Sequence, residues 1–195
     1  MNYRNEMNIF VKSTKFKNME NKLIKPKGIN FGIGYGLFLI LLTLYAYVIE
    51  LNFFASFWFL GLVIIGFFVN GIWVIASLKA AQEGYVTFKE GFTVFFLSNA
   101  LALLLSTIIT ILIFIVVDPE LQETVKELTI AKTTTMMEDL GAPIDSIDKT
   151  IEDLRKQDNF SLMAQVKGYF STLAISSIIG LLLALILKKK KEEEY

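Results

Sequence analysis

The sequence contains no cysteine and no histidine among its 195 residues. Their absence excludes disulfide bonds, thiolate nucleophiles, serine–histidine and cysteine–histidine catalysis, and the usual zinc ligands. Charged residues are also scarce, at 19% of the chain, where a soluble domain has about 25%. We therefore expect the protein not to be an enzyme, and we expect no catalytic, cofactor-binding or metal-binding residues.

Long stretches of the chain carry no charge at all. Four runs of 19 to 27 residues lack Asp, Glu, Lys and Arg: 31–49, 53–78, 91–117 and 168–187. About 20 helical residues cross the hydrocarbon core of a bilayer, which is about 30 Å thick. Hydrophobic residues make up 54% of the chain. These runs predict four membrane-spanning helices and exclude a soluble globular enzyme.

Basic residues are concentrated on one side of the predicted membrane. Four spans place both termini on the same side, so the segments 1–30, 79–90 and 188–195 lie together and hold 13 Lys or Arg. The opposite side holds 6. The positive-inside rule therefore predicts that both termini are cytoplasmic. Since 31–49 is longer than the apolar run of a secretory signal, we expect it to remain as an anchor.

The polar segment between the third and fourth spans is too long for a turn and predicts two helices. Asp118 is a suitable N-cap with Pro119 at the first helical position, and Gly141 followed by Pro143 can end the helix. The first helix has a partial apolar stripe: Leu121, Val125, Leu128, Met136 and Leu140. The second has a regular stripe: Ile144, Ile147, Ile151 and Leu154. We expect the two stripes to cover each other in an antiparallel hairpin.

The predicted fold class is therefore all-α. We expect a four-helix transmembrane bundle with an extracytoplasmic helical hairpin between the third and fourth spans. The chain divides into four parts: a basic cytoplasmic segment 1–30, spans one to three in 31–117, the hairpin 118–167, and the fourth span with a charged cytoplasmic tail in 168–195. Residues 1–18 are expected to be dispensable for insertion and to be disordered or to lie on the inner leaflet.

Small and weakly polar residues recur every three or four positions within the spans. The first span contains Gly32 and Gly36, the third has the row Asn99, Ala102, Ser106 and Thr110, and the fourth has the row Thr172, Ser176, Gly180 and Ala184. Such rows let membrane helices approach closely. The glycines at 32–36 superficially resemble a nucleotide-binding loop, but no strand precedes them and no acidic residue follows at the ribose position. We therefore predict helix packing.

Asn70 and Asn99 are the most polar residues within the four spans. No Asp, Glu, Lys, Arg or His accompanies them there, which disfavours ion-coupled transport and proton relay. Each amide lies 8 residues from the cytoplasmic end of its span, and consecutive helices are usually neighbours. We predict a direct or nearly direct contact between them, which either fastens two helices or forms a polar binding site.

A short motif follows the second span. It contains Gly84, Thr87-Phe88 and Gly91-Phe92, and the third span ends in Val116-Val117-Asp118-Pro119-Glu120. In these residues the chain resembles the domain-of-unknown-function 4199 family of small bacterial membrane proteins, over roughly 31–187. The resemblance implies a four-span, multi-pass protein of the bacterial inner membrane whose role is uncharacterised. It carries over no catalytic or binding residues.

Two functions remain open. The first is a non-enzymatic scaffold or accessory subunit that acts through protein interaction at its acidic outer hairpin. The second is a small transporter or channel component lined by the Asn, Ser and Thr rows, which would require those rows to face a water-filled cavity. The expected partners are the lipid bilayer and either a protein at the hairpin or another copy of the chain, and we expect no nucleic acid and no cofactor.

The absence of native cysteine makes the predicted topology easy to test. A single cysteine introduced at Thr134 should react with a membrane-impermeant maleimide in intact spheroplasts, because 118–167 is expected outside the cytoplasm. A cysteine at Thr87 should react only after the cells have been lysed. The opposite labelling pattern would exclude the predicted orientation.

Overall fold

The computed structural model describes the backbone of residues 3–189 and the side chains of residues 22–189. In this part of the chain every named element is helical, which confirms the predicted all-helical class. The long helices are α1 Tyr3–Val48, α2 Phe57–Ala81, α3 Phe88–Ile111, α4 Leu121–Asp139, α5 Ile144–Lys156 and α6 Leu162–Leu187. A 3₁₀ turn covers Leu51–Phe53, and a π-helix covers Leu112–Val117.

Four helical segments are long and apolar enough to cross a membrane, as the uncharged runs predicted. They are Lys22–Val48, Phe57–Ala81, Phe88–Val117 and Leu162–Leu187. Within the described residues, the sequence is therefore compatible with a multi-pass membrane protein. The predictions for residues 1–18 and for the tail beyond residue 189 lie outside the described side chains.

Helix α3 contacts each of the other three candidate spans. Its approach to α1 depends on Gly32 and Gly36, both of which are buried. A side chain at Gly32 would meet the backbone oxygen of Ser98, and one at Gly36 would meet Leu105. Because neither glycine has a side chain, the backbone of α1 lies directly against α3 at these two positions.

The ring of Phe95 on α3 fills the space between α2 and α6. This ring is fully buried, with Gly71 of α2 on one side and Gly180 of α6 on the other. A Cβ atom added at Gly71 would lie 2.6 Å from the Phe95 ring, and one at Gly180 would overlap it. The two glycines therefore form the socket that lets three helices meet at one residue.

At one end of the bundle, which we call the basic end, the first and last spans are tied to the α2–α3 link. Lys27 Nζ donates to Ser77 Oγ at 2.6 Å, and Lys79 Nζ donates to the carbonyl of Leu187 at 3.1 Å. The backbones of Val86 and Lys189 exchange two hydrogen bonds of 2.9 Å each. These contacts fix the first and fourth spans relative to the end of α2 and to the link that follows it.

The opposite end, the hairpin end, has its own apolar cluster. The buried members come from the end of the third span and the start of α4: Ile113, Phe114, Leu121 and Val125. Phe160, which precedes α6, stacks on Phe114 with ring centroids 4.7 Å apart. This cluster fastens the α4–α5 hairpin to the spans.

Two helix boundaries differ from the sequence prediction. Helix α4 begins at Leu121 rather than at Pro119, because Asp118 to Leu121 form a turn in which Asp118 Oδ1 accepts the N–H of Leu121 at 3.3 Å. A residue before proline avoids the helical region, so the third span ends at Val117. Helix α6 begins at Leu162 rather than near residue 168, because Ser161 caps it by accepting the N–H of Ala164.

Helices α4 and α5 form a hairpin, but some residues of the two predicted apolar stripes are exposed. Ile147 is buried and Gly141 turns the chain with φ +70°, and Lys126 Nζ donates to the carbonyl of Arg155 at 2.6 Å. Two predicted stripe residues, Leu140 and Ile144, are 77% and 75% exposed. Both lie at the turn, where neither helix has a partner left to cover them.

The socket around Phe95 predicts a large difference between two glycines. Gly180→Ala should destabilise the bundle by about 1–3 kcal/mol, because its methyl group overlaps a ring that has no free space. Gly61→Ala is the matched control, since nothing lies within 4 Å of a Cβ atom there. Reversible unfolding in mixed micelles measures both, and equal stabilities would contradict the socket.

Candidate functional site

The described spans contain a small set of buried polar side chains near the middle of the bundle. Asn70, Ser98, Asn99 and Ser176 are each at most 7% exposed. Asn70 Nδ2 donates to Ser98 Oγ at 3.0 Å, which links α2 to α3. Interhelical hydrogen bonds of this type stabilise a membrane bundle modestly, by about 0.6 kcal/mol on average.

Asn99 is fully buried and is only partly hydrogen-bonded. Its Nδ2 donates to the carbonyl of Phe95 in its own helix at 3.3 Å, while its Oδ1 has no hydrogen-bond partner among the described residues. Gly91 lies beside Ala184, and Phe95 lies against Gly180. Continued by one turn, this antiparallel register places Asn99 level with Ser176. A buried amide oxygen without a donor carries a desolvation cost.

No hydrogen bond joins the two predicted amides among the described residues. Asn70 instead hydrogen-bonds to Ser98, the residue before Asn99. Successive residues of an α-helix point about 100° apart, so Ser98 and Asn99 direct their side chains to different sides of α3. The structure thus shows a hydrogen bond from Asn70 to the neighbour of Asn99, and the predicted contact of Asn70 with Asn99 itself stays a prediction.

Nearer the hairpin end, α3 and α6 line a cavity of about 440 Å³. We call it the hydroxyl cavity, because four serine and threonine side chains line it: Ser106, Thr107, Thr110 and Thr172. Asp158, Gln165 and Lys167 lie at its aqueous side, and Leu103 and Tyr169 are also part of its wall. The polar rows thus face a cavity in one half of the bundle and are packed against other helices in the other half.

The segment before α6 is ordered by a carboxylate at the edge of this cavity. Asp158 Oδ1 accepts the backbone N–H groups of Ser161 at 2.9 Å and Phe160 at 3.3 Å. Hydrogen bonds from the side chain and backbone of Ser161 hold the pKa of Asp158 below its usual value. The carboxylate therefore stays ionised at neutral pH and keeps the entrance to α6 in this conformation.

The motif between α2 and α3 forms a tight corner. Gly84 has φ +89°, a backbone conformation that favours glycine. Thr87 and Glu90 form the expected capping box, Phe88 stacks on Phe92, and Gly91 is buried beside Ala184. These residues shape the basic end and place the N-terminus of α3; the structure gives them packing and capping roles.

Two features of the site went unpredicted. Ser98 was not predicted, because it does not belong to the row of the third span that begins at Asn99. The hydroxyl cavity was not predicted as a cavity, since a row of small residues does not reveal whether the facing helix fills the space. Within the described residues, no group of three or more acidic side chains is arranged to hold a metal ion.

The two buried amides should respond differently to substitution. Asn70→Ala with Ser98→Ala in a double-mutant cycle should show a coupling of about 0.6 kcal/mol, and at most about 1.7 kcal/mol. Asn99→Leu should leave stability unchanged or raise it, because it removes an unsatisfied buried oxygen. Unfolding in mixed micelles measures these values. A large stability loss in Asn99→Leu would show that Oδ1 has a partner.

Comparison with known proteins supplies a family. A model described as "Protein of unknown function (DUF4199)" matches residues 30–189. No curated protein and no solved structure matches the chain. The matched range contains the corner at Gly84 to Gly91, the turn at Asp118 and Pro119, and all four charge-free runs, and it confirms the resemblance found in those motifs. The chain belongs to the DUF4199 family of proteins of unknown function.

Proposed function

We propose that this protein is a non-enzymatic, membrane-anchored scaffold or accessory subunit that binds a protein partner through the tip of its α4–α5 hairpin. The observation that carries the proposal is the exposure of Leu140 and Ile144, at 77% and 75%. Both lie outside the candidate spans, where lipid would not cover them. Large apolar side chains grouped on an aqueous surface are typical of an interaction site.

Charge indicates the chemistry of that partner. The stretch 133–148 contains four carboxylates and no basic residue, and all four are exposed: Glu138, Asp139, Asp145 and Asp148. An apolar centre with an acidic rim suits a partner that offers an apolar socket surrounded by Lys or Arg side chains. We call Leu140, Ile144 and these four carboxylates the hairpin tip.

The hairpin presents this surface on a folded support. Arg155 lies 3.4 Å from Glu127 across the helix pair, Lys126 donates to the carbonyl of Arg155, and Ile147 is buried. The exposed ion pair contributes little by itself, whereas the apolar packing and the backbone contact hold α4 beside α5. A surface that is already ordered loses less conformational entropy on binding.

We infer the orientation from charge. The positive-inside rule favours a cytoplasmic position for both termini and for the basic end. The hairpin tip would then meet its partner outside the cytoplasm, and the bilayer would be the inner membrane of a bacterium. The inference is supported by 13 Lys or Arg on the basic side against 6 on the other.

The hydroxyl cavity favours a second candidate function, that of a small transporter or channel component. Its volume of about 440 Å³ lies in the range of sites for small molecules, and its hydroxyl groups can bind a polar solute. Against a continuous path, Ser98, Asn99 and Ser176 are buried near the middle of the bundle. The interaction role therefore has the stronger support.

Loss of the apolar tip tests the proposed function. The double variant Leu140→Ser and Ile144→Ser should reduce recovery of the co-purifying partner by about tenfold or more, because central apolar contacts dominate interface energies. Quantitative mass spectrometry after mild-detergent purification of the full chain measures recovery. A high-salt wash should weaken binding further, since the rim is charged.

The control variant is Lys132→Ser with Lys149→Ser, two exposed residues that flank the tip. It should retain the partner, and protease resistance of 118–167 should be equal in both variants. If the tip variant keeps its partner, or if the control loses it equally, the hairpin tip is not the binding surface.

A further inference from the structure

A groove of about 570 Å³ lies between α1 and α2 on the outer face of the bundle. It exists because Gly34 contributes no side chain: nothing lies within 4 Å of a Cβ atom added there. Its wall includes Tyr35, which is buried and donates its hydroxyl to the carbonyl of Val63 at 3.0 Å. The ring is thereby held in place, and the groove is a preformed feature of the helix pair.

Polarity changes along the groove. At the basic end it is lined by Asn30 and Trp73, whose side-chain N–H groups make no hydrogen bond with any described residue. Trp73 is 64% exposed. Towards the bundle centre the lining is mostly apolar, with Phe38, Leu62 and Ile65 among its residues, and it includes Asn70, whose Nδ2 donates to Ser98. Donors at one end and a mostly apolar lining along the rest match an amphiphile lying parallel to the helices.

Positive charge lies just beyond the polar end. Lys27 lies one turn before Asn30, with its ammonium group near Ser77 of α2. The groove extends over eight residues of α1, from Asn30 to Phe38, and over eleven residues of α2, from Leu62 to Trp73, or about 12 to 17 Å along a helix, which is about half of the hydrocarbon core. The groove therefore lies mainly within one leaflet, and its basic mouth lies at the headgroup level of that leaflet.

We propose that this groove binds one acyl chain of an anionic phospholipid from the leaflet at the basic end. The chain lies along Gly34 between the rings of Tyr35 and Phe38 and the side chains of α2. The headgroup accepts hydrogen bonds from Asn30 and Trp73 and lies near Lys27. The inference rests on the four spans crossing a bilayer and does not depend on a partner at the hairpin tip.

The polar end of the groove favours a lipid over a helix from a second copy. Asn30 and Trp73 provide side-chain N–H donors there, which suit the ester and phosphate oxygens of a headgroup. A helix face made of apolar side chains would leave these donors without acceptors.

Photolabelling of the reconstituted full-length protein tests the proposal. The probe is phosphatidylglycerol with a diazirine on one acyl chain, and mass spectrometry locates the label. In the unsubstituted protein, label should concentrate on the peptides that contain 30–38 and 62–73. A Cβ atom added at Gly34 meets nothing within 4 Å, so Gly34→Leu places a side chain in the groove and should reduce that label about tenfold, equivalent to about 1.4 kcal/mol.

Gly61→Leu is the matched control, because this α2 glycine also has open space around it and does not line the groove. It should leave labelling unchanged, and thermal unfolding should show both variants folded. Equal labelling of Gly34→Leu and the unsubstituted protein, or equal loss in Gly61→Leu, would overturn the site. Preferential cross-linking between two protein copies at these peptides would assign the groove to a second copy instead.

Headgroup selectivity tests the charge. Competition by unlabelled phosphatidylglycerol should exceed competition by phosphatidylcholine several-fold. Lys27→Gln should abolish this difference while the label stays in the groove, whereas Lys89→Gln, at the start of α3, should preserve it. Equal competition by the two lipids in the unsubstituted protein would overturn the anionic assignment.

Discussion

The packing of the bundle depends on one aromatic ring that fits between two glycines. Phe95 is fully buried between Gly71 and Gly180, and its ring also meets Phe67 edge-on at 5.7 Å. In a bilayer the hydrophobic effect does not hold helices together, so dispersion contacts at short range must do so. The close approach of α2, α3 and α6 at this level sets the register that places Ser98 beside Asn70 and Asn99 beside the α6 row.

From that point the two halves of the bundle differ. Towards the basic end, small residues of α6 pack against α3, as Ala184 does against Gly91. Towards the hairpin end, the hydroxyl side chains of α3 and α6 line a cavity. Small and weakly polar residues recur every three or four positions in both halves. They form a packing surface in one half and a cavity wall in the other.

Much of this architecture could be predicted because lipid imposes a strong constraint. Charge-free runs indicated the four spans, and local capping residues such as Thr87 and Glu90 indicated the corner between them. The direction of side chains was harder to predict, because successive residues of a helix point about 100° apart. That difference decided whether Ser98 or Asn99 hydrogen-bonds to Asn70. The exposure of Ile144 was also unpredictable from its stripe, because periodicity does not show where the facing helix ends. The grooves depend on helix separations that no local pattern specifies.

The pair of backbone hydrogen bonds between Val86 and Lys189 has a consequence for biosynthesis. The ribosome makes Val86 well before Lys189, and the third span, the hairpin and the fourth span are all synthesised in the interval. These two hydrogen bonds can therefore form only after the fourth span has been made. A chain truncated within the fourth span would lack both of them, and the backbone groups of Val86 would remain without these partners.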